Sequence, residues 1–361
     1  PRSLPARRMN ATVNKHPCHN CGGEMQWNAA KQALVCPFCG TQADWTPAQV
    51  EAGGIVEHDL GSALSGVQPA MAAQQREVQC QNCNAITVFS AERVAQRCDF
   101  CGSPKIIEVA AQSDAFVPES LLPFKISDGQ VRDLIRRWYQ TRWFAPNRLK
   151  TAALTDTLHG VYLPYWTFDA HADARWTAEA GDHYHVTVNG KSERRTRWEH
   201  ASGALQHHFD DDLVPASTGI HAKLLSGIAP FPTTTDLKLY SPEFVRGWTV
   251  ERYQIDLRAA AETNMAQMQA ALRRLCAEQV PGDTHRNLDV QAQYSDRRFK
   301  HVLMPVWLVS YTYGSRNFQV VANGYTGAID GERPYSWIKI FFAVVTALIV
   351  LGTLFYLLEG Q

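Results

Sequence analysis

Residues 160–170 read GVYLPYWTFDA and residues 301–311 read HVLMPVWLVSY. Both runs are apolar and aromatic, and each is broken once by proline, at Pro164 and Pro305, with a tryptophan two positions on, Trp166 and Trp307. Residues of this kind fit a pleated, half-buried surface. Each run follows a helical pattern. In the first, Val131, Leu134, Ile135, Trp138 and Tyr139 fall on one face, with Ser127 placed as an N-cap and Pro146 as the stop. The second covers about 259–279, with Met265, Met268, Leu272 and Leu275 inward and Cys276 beside them as a small buried hydrophobe. Each run is also followed by an alternating apolar segment ending in Asn–Gly, a hairpin signal: HYHVTVNGK at 183–191 and FQVVANGYTG at 318–327. Matching Asn189–Gly190 to Asn323–Gly324 makes the body, 121–334, a duplication. The expected fold class is α+β, built from two related helix-plus-antiparallel-sheet units.

N-terminal to this body lie eight of the nine cysteines, in four Cys-x-x-Cys pairs. Cys18, Cys21, Cys36 and Cys39 form one set, and Cys80, Cys83, Cys98 and Cys101 the other. Every cysteine of the second set lies 62 positions after its counterpart, so the module is duplicated. Four thiolates complete a tetrahedral zinc site with no open position for water, which makes the site structural. Gly22, Gly40 and Gly102 each follow the second cysteine of a pair, where a tight knuckle favours positive φ. Disulfides, a redox Cys-x-x-C motif and an iron–sulfur cluster are the competing uses of such cysteines. The spacing favours two zinc ions, one per ribbon. The expected organisation is zinc ribbon 1 over 14–45, a flexible Ala/Gly/Gln/Ser-rich linker over 46–76, zinc ribbon 2 over 77–108, and a second short linker over about 110–120.

Charge bears on what the ribbons touch. The chain has 35 Lys+Arg and 35 Asp+Glu among its 361 residues. Residues 1–110 carry nine of each sign. Phosphate binding needs a surplus of cations on one face, so protein partners are favoured and nucleic acid is the weaker alternative. At the other end, Ile340 to Leu358 holds no charge. About 20 apolar residues span a bilayer core, which predicts a transmembrane helix over 338–358. Trp337 and Tyr356 stand near its ends, and Arg333 and Lys339 precede it. By the positive-inside rule this puts the bulk of the chain in the cytoplasm, at the inner membrane. Residues 1–17 contain no apolar signal-peptide core.

No catalytic motif stands out. GKS at 190–192 would need Gly at position 185 to read as a P-loop, and the residue there is His185. There is no G-x-S-x-G and no H-E-x-x-H. His183, His185, His207 and His208 are candidates for a further site, though polar hairpin positions explain them as well. Asp210–Asp212 lack calcium-loop spacing and suggest a solvated turn. Arg194, Arg195 and Arg197 with Trp198 suggest the outer face of a strand. No enzyme activity and no small-molecule substrate are expected.

The two four-cysteine ribbons, LPFKI at 122–126, GVYLPYW at 160–166, MPVW at 304–307, ANGYTG at 322–327 and the apolar terminus together resemble a bacterial family of tail-anchored, transcription-factor-IIB-type zinc-ribbon proteins, some labelled primosomal protein N′ or helicase subunit. The resemblance implies a membrane adaptor with phage-shock protein A-like and flotillin-like partners, and no catalytic residues. The expected function is thus a non-enzymatic, zinc-binding, membrane-anchored adaptor, with a membrane-tethered nucleic-acid binder as the alternative.

Overall fold

The computed structural model describes residues 18–23, 25–28, 33–36, 38–43, 54–65, 76–89, 97–109, 116–146, 158–188, 191–241, 244–245, 248–313 and 316–359. Among these, β1 (Gln26–Asn28), β2 (Ala33–Val35) and β3 (Gln42–Ala43) form a three-stranded antiparallel sheet that is ribbon 1. All the other strands join one twelve-stranded sheet. Its centre is the antiparallel pair β9 (Leu158–Val188) and β13 (Thr284–Tyr313). β10 (Lys191–Pro215) returns along β9, and β14 (Arg316–Asn323) along β13.

Proline is normally excluded from a central strand because it cannot donate to the ladder. Here both prolines sit where a strand changes neighbours. On its edge away from β13, β9 pairs with β10 from Tyr165 onward and with β12 (Thr249–Glu251) at Val161 and Tyr162, leaving Pro164 between. On its edge away from β9, β13 pairs with β14 from Val306 onward and with β8 (Ser120–Leu121) at Val302 and Leu303, leaving Pro305 between. The missing N–H falls where no partner needs it.

The two halves are interlocked rather than set side by side. β8 leads into helix α2 (Asp128–Gln140) of the first half yet pairs with β13 of the second. β12 leads into helix α4 (Leu257–Gln279) of the second half yet pairs with β9 of the first. The side chains repeat the exchange. The Trp166 indole donates to the Ile255 carbonyl at 2.9 Å, and the Trp307 indole donates to the Ile126 carbonyl at 2.9 Å. The caps are equivalent too, Ser127 on α2 and Asp256 on α4. These bonds revise the matching of the hairpins. The Gly324 N–H donates to the Pro305 carbonyl and the Ala216 N–H to the Pro164 carbonyl, so Asn323–Gly324 corresponds to Pro215–Ala216. Asn189–Gly190, between β9 and β10, lies outside the described residues.

One face of the sheet carries α2 over one end and α4 over the other. Ala170, Ala172, Ala174 and Ala178 of β9 lie in one core cluster with Met268, Leu272 and Cys276 of α4. Small side chains here let a 23-residue helix lie close along the strands. The opposite face buries Val161, Leu163, Tyr165, Val302, Met304 and Val306 in a cluster with Ile220, helix α3 (Ala222–Gly227) and ribbon 2.

Ribbon 2 is β5 (Arg76–Cys80), β6 (Ile86–Phe89) and β7 (Ile106–Val109), and it belongs to the large sheet because β6 pairs with β12. The expected fold class is therefore corrected in three ways. The body is a single mixed sheet, with two parallel pairings, rather than two antiparallel units. Ribbon 2 is part of that sheet. And among the described residues no helix is long and apolar enough to cross a membrane. The C-terminal helix α5 (Trp337–Glu359) takes the place of the transmembrane helix expected over 338–358.

The stretch expected as a flexible linker also carries structure. β4 (His58–Asp59) pairs with β13, and helix α1 (Leu60–Leu64) buries Leu60. β11 (Lys238–Leu239) pairs with β8, and β15 (Ile329–Gly331) with β14.

Candidate metal centres

The four Cys-x-x-Cys knuckles share one backbone design. In each, the first cysteine's N–H donates to a carbonyl five residues on, and its own carbonyl accepts the N–H four residues on: Cys18 with Gly23 and Gly22, Cys36 with Thr41 and Gly40, Cys80 with Ala85 and Asn84, Cys98 with Ser103 and Gly102. The residue four on has positive φ in all four, 72° at Gly22, 73° at Gly40, 70° at Gly102 and 60° at Asn84. Glycine marks three of these in the sequence. The fourth escaped notice because asparagine, which tolerates the left-handed region, fills it.

This turn aims both sulfurs of a knuckle at one point. The ligand atoms of Cys18, Cys21, Cys36 and Cys39 all lie within 4.8 Å of one another, as do those of Cys80, Cys83, Cys98 and Cys101. The Sγ···Sγ distances include 3.5 Å for Cys18–Cys39 and 3.4 Å for Cys21–Cys36, and 3.6 Å for both Cys80–Cys101 and Cys83–Cys98. A tetrahedron with metal–sulfur bonds of about 2.3 Å has edges of about 3.8 Å. The donor set and its shape fit a metal ion. Sulfurs this close also split each other's acidity. The Thr41 hydroxyl, 3.1 Å from Sγ, holds Cys39 down at about 6. A hydrogen bond from Cys83 holds Cys98 at about 6, and the same bond pushes Cys83 up. A bound cation would replace this proton sharing, with all four thiolates as its ligands.

The two centres differ in their surroundings. Ribbon 1 has its own small core of Cys18, Met25 and Cys36. Among the described residues, its hydrogen bonds close within 18–43. Cys80 and Cys98 of ribbon 2 instead lie in the core cluster of the body. The Asp99 carboxylate accepts from the Thr249 hydroxyl at 2.5 Å, and Glu77 pairs with Arg252 at 2.8 Å. The Phe100 carbonyl accepts from the Ser310 hydroxyl and, at 3.2 Å, from the Gln319 amide.

The other candidate residues do not converge. His183 meets Thr196 at 3.0 Å, and His185 is exposed on the same strand. His207 lies edge-on to Phe209, while the adjacent His208 stacks on His171 with ring centroids 4.3 Å apart. His171 and His183 are twelve strand positions apart, about 40 Å at strand rise. Arg195 and Arg197 are exposed and lie 3.5 and 3.6 Å from Glu193 and Glu199, and the Trp198 ring is covered by Arg286.

The Asp210–Asp212 triplet is a β-bulge rather than a solvated turn. Asp211 has φ 55° and is buried, with a carboxylate oxygen 2.7 Å from Lys300 Nζ. Lys300 also reaches Glu57 at 3.1 Å, and the Asp211 N–H donates to Asp169 at 2.6 Å. This buried charge cluster has no sequence signal, because its members come from β9, β10, β13 and the segment before β4.

No family model matches the chain, and no solved structure matches it. It is similar to an uncharacterized Bacillus subtilis protein, YdjG, at 24% identity over 335 residues, covering 90% of this chain and 91% of that one.

Proposed function

We propose that this chain is a non-enzymatic adaptor whose two metal centres hold structural zinc and whose ribbon 1 recruits a protein partner. One contrast carries the reading. Of two copies of the same module, one is built into the body through its knuckle, and the other keeps a separate sheet with its own core. A module duplicated, folded by its own metal and left outside the main sheet is available for contact. Closed four-thiolate sites leave no coordination position for substrate, which supports a structural role for the zinc. Over 14–45 the sequence carries Lys15 and Lys31 against Glu24 and Asp44, so ribbon 1 has no surplus of cations, which favours a protein surface over phosphates.

Location at the cytoplasmic face of the inner membrane is part of the proposal. Thiolate ligands suit a reducing compartment. Exposed Trp337, Phe341, Phe342, Leu348 and Leu351 on α5, with Lys339 near its start, offer an apolar, cation-flanked surface for association. The family resemblance points to partners of the phage-shock protein A-like and flotillin-like kinds.

The test is purification of the full chain with mild detergent, with metal content, co-purifying protein and nucleic acid all quantified. Two zinc per chain and a stoichiometric protein partner that is lost in Cys21→Ser/Cys39→Ser are expected. Salt-sensitive nucleic acid in place of that protein would overturn the reading.

A further inference from the structure

Each ribbon has a phenylalanine inside its second knuckle, Phe38 in CPFC at 36–39 and Phe100 in CDFC at 98–101. The two residues are counterparts, 62 positions apart like the cysteines around them. Phe100 is 0% exposed. Its ring belongs to the cluster of Ala85, Val161, Leu163, Ile220 and Val306 on the sheet face, and its carbonyl takes the Ser310 and Gln319 hydrogen bonds. Phe38 is 79% exposed. It is nevertheless held in place: a Cβ on Gly23 would lie 2.6 Å from Cδ2 of the Phe38 ring, so the ring rests directly on this glycine. The counterpart of Gly23 is Ala85, which packs in the body core beside Phe100.

We propose that Phe38 is the anchor by which ribbon 1 docks on a different protein, in a socket of the kind that seats Phe100. That socket is an aliphatic depression on a β-sheet face, with a hydroxyl or amide donor at its rim for the Phe38 carbonyl. The proposal rests on the adaptor reading and deepens it by naming the contact. The chain's own socket is filled by Phe100, and so is that of any second copy, so the partner is a different chain. With Lys15 and Lys31 balanced by Glu24 and Asp44 over 14–45, ribbon 1 has no charge surplus to steer a partner, which leaves the exposed ring to carry recognition.

The experiment places the photoreactive residue p-benzoylphenylalanine at position 38 of the full-length chain in cells. A control carries it at Val56, which is 56% exposed. The cross-linked protein is identified and purified, and its affinity is measured for the native chain and for Phe38→Ser, Phe38→Leu and Val56→Ser, with metal content recorded for each. The expected result is a cross-link from position 38 and not from 56. Phe38→Ser should bind at least tenfold more weakly, the size expected for withdrawing one buried phenyl ring. Phe38→Leu should keep most of the affinity, and metal content should be unchanged throughout. A partner lost in Cys21→Ser/Cys39→Ser but bound equally well by Phe38→Ser would sink the anchor and leave the adaptor standing. A cross-link to a second copy of this chain would sink the separate partner. Nucleic acid alone, or no bound protein by any route, would sink both the anchor and the adaptor.

Discussion

Asp169 shows what burial does to a single carboxylate. Burial pushes its pKa up to about 6, the Asp211 N–H and the Lys300 cation pull it back, and the charges of Glu57 and Asp211 push it further up. The folded chain therefore holds this proton to higher pH than the unfolded chain, whose aspartate titrates near 4. Stability is lost as pH rises from about 4 to about 6 and is level above that. Asp169→Asn keeps an oxygen for the Asp211 N–H and removes the titration. Its stability relative to the native chain should rise across that window by roughly 2 kcal/mol, the size of a two-unit displacement. Urea unfolding at pH 4, 5, 6 and 7 measures it, and a constant difference would show that Asp169 titrates normally. Lys300 is the opposite case. Lys300→Met leaves Asp211, Asp169 and Glu57 with no buried cation, and should cost about 3–5 kcal/mol at pH 7. The cost should shrink as the pH falls and Asp169 takes up its proton. None of this was legible beforehand: a lone Lys in an apolar strand and an Asp triplet on another strand give no sign that they meet.

Among the elements, the long strands, the capped helices and the cysteine knuckles were legible because each rests on a local pattern. Ser127 caps α2 as its position suggests, and Val131, Ile135 and Tyr139 are the buried stripe. The buried stripe of α4 includes Met268, Leu272 and Cys276, while Met265 and Leu275 sit at its margin. What stayed illegible depends on pairing between distant segments. Two-residue strands such as β8 and β12 have no periodicity to read, yet they cross-link the two halves. Docking of ribbon 2 was hidden for the same reason, since a buried Phe100 and an exposed Phe38 occupy the same motif. That difference has a measurable consequence. Phe100→Ala should remove about 3–5 kcal/mol from the body, the usual cost of truncating a buried phenylalanine. Phe38→Ala should stay within about 0.5 kcal/mol of the native chain, as exposed substitutions do. Chemical denaturation monitored by tryptophan emission compares the two, and equal costs would mean that ribbon 1 is packed as deeply as ribbon 2.

At the scale of the whole molecule, the two metal centres are coupled to folding unequally. Among the described residues ribbon 1 buries Cys18, Met25 and Cys36 with Ala43 against them, so a metal held by its four cysteines would supply most of its folding energy, and removing it should unfold the ribbon locally. Ribbon 2 places Cys80 and Cys98 in the main core and donates β6 to the main sheet, so its metal also braces the body. Two variants separate these roles. Cys21→Ser/Cys39→Ser should lose one metal equivalent and leave the main unfolding transition within about 1 °C of the native chain, because among the described residues the hydrogen bonds of ribbon 1 close within 18–43. Cys83→Ser/Cys101→Ser should lose the other equivalent and lower that transition by several degrees, as a loss of about 2 kcal/mol would in a body of this size. Titrating the native chain with a chelator should then reproduce the second variant's melting curve only when the second equivalent leaves. If both variants melted alike, the ribbons would be energetically equivalent. The asymmetry that frees one to recruit while the other holds the body together would then be absent.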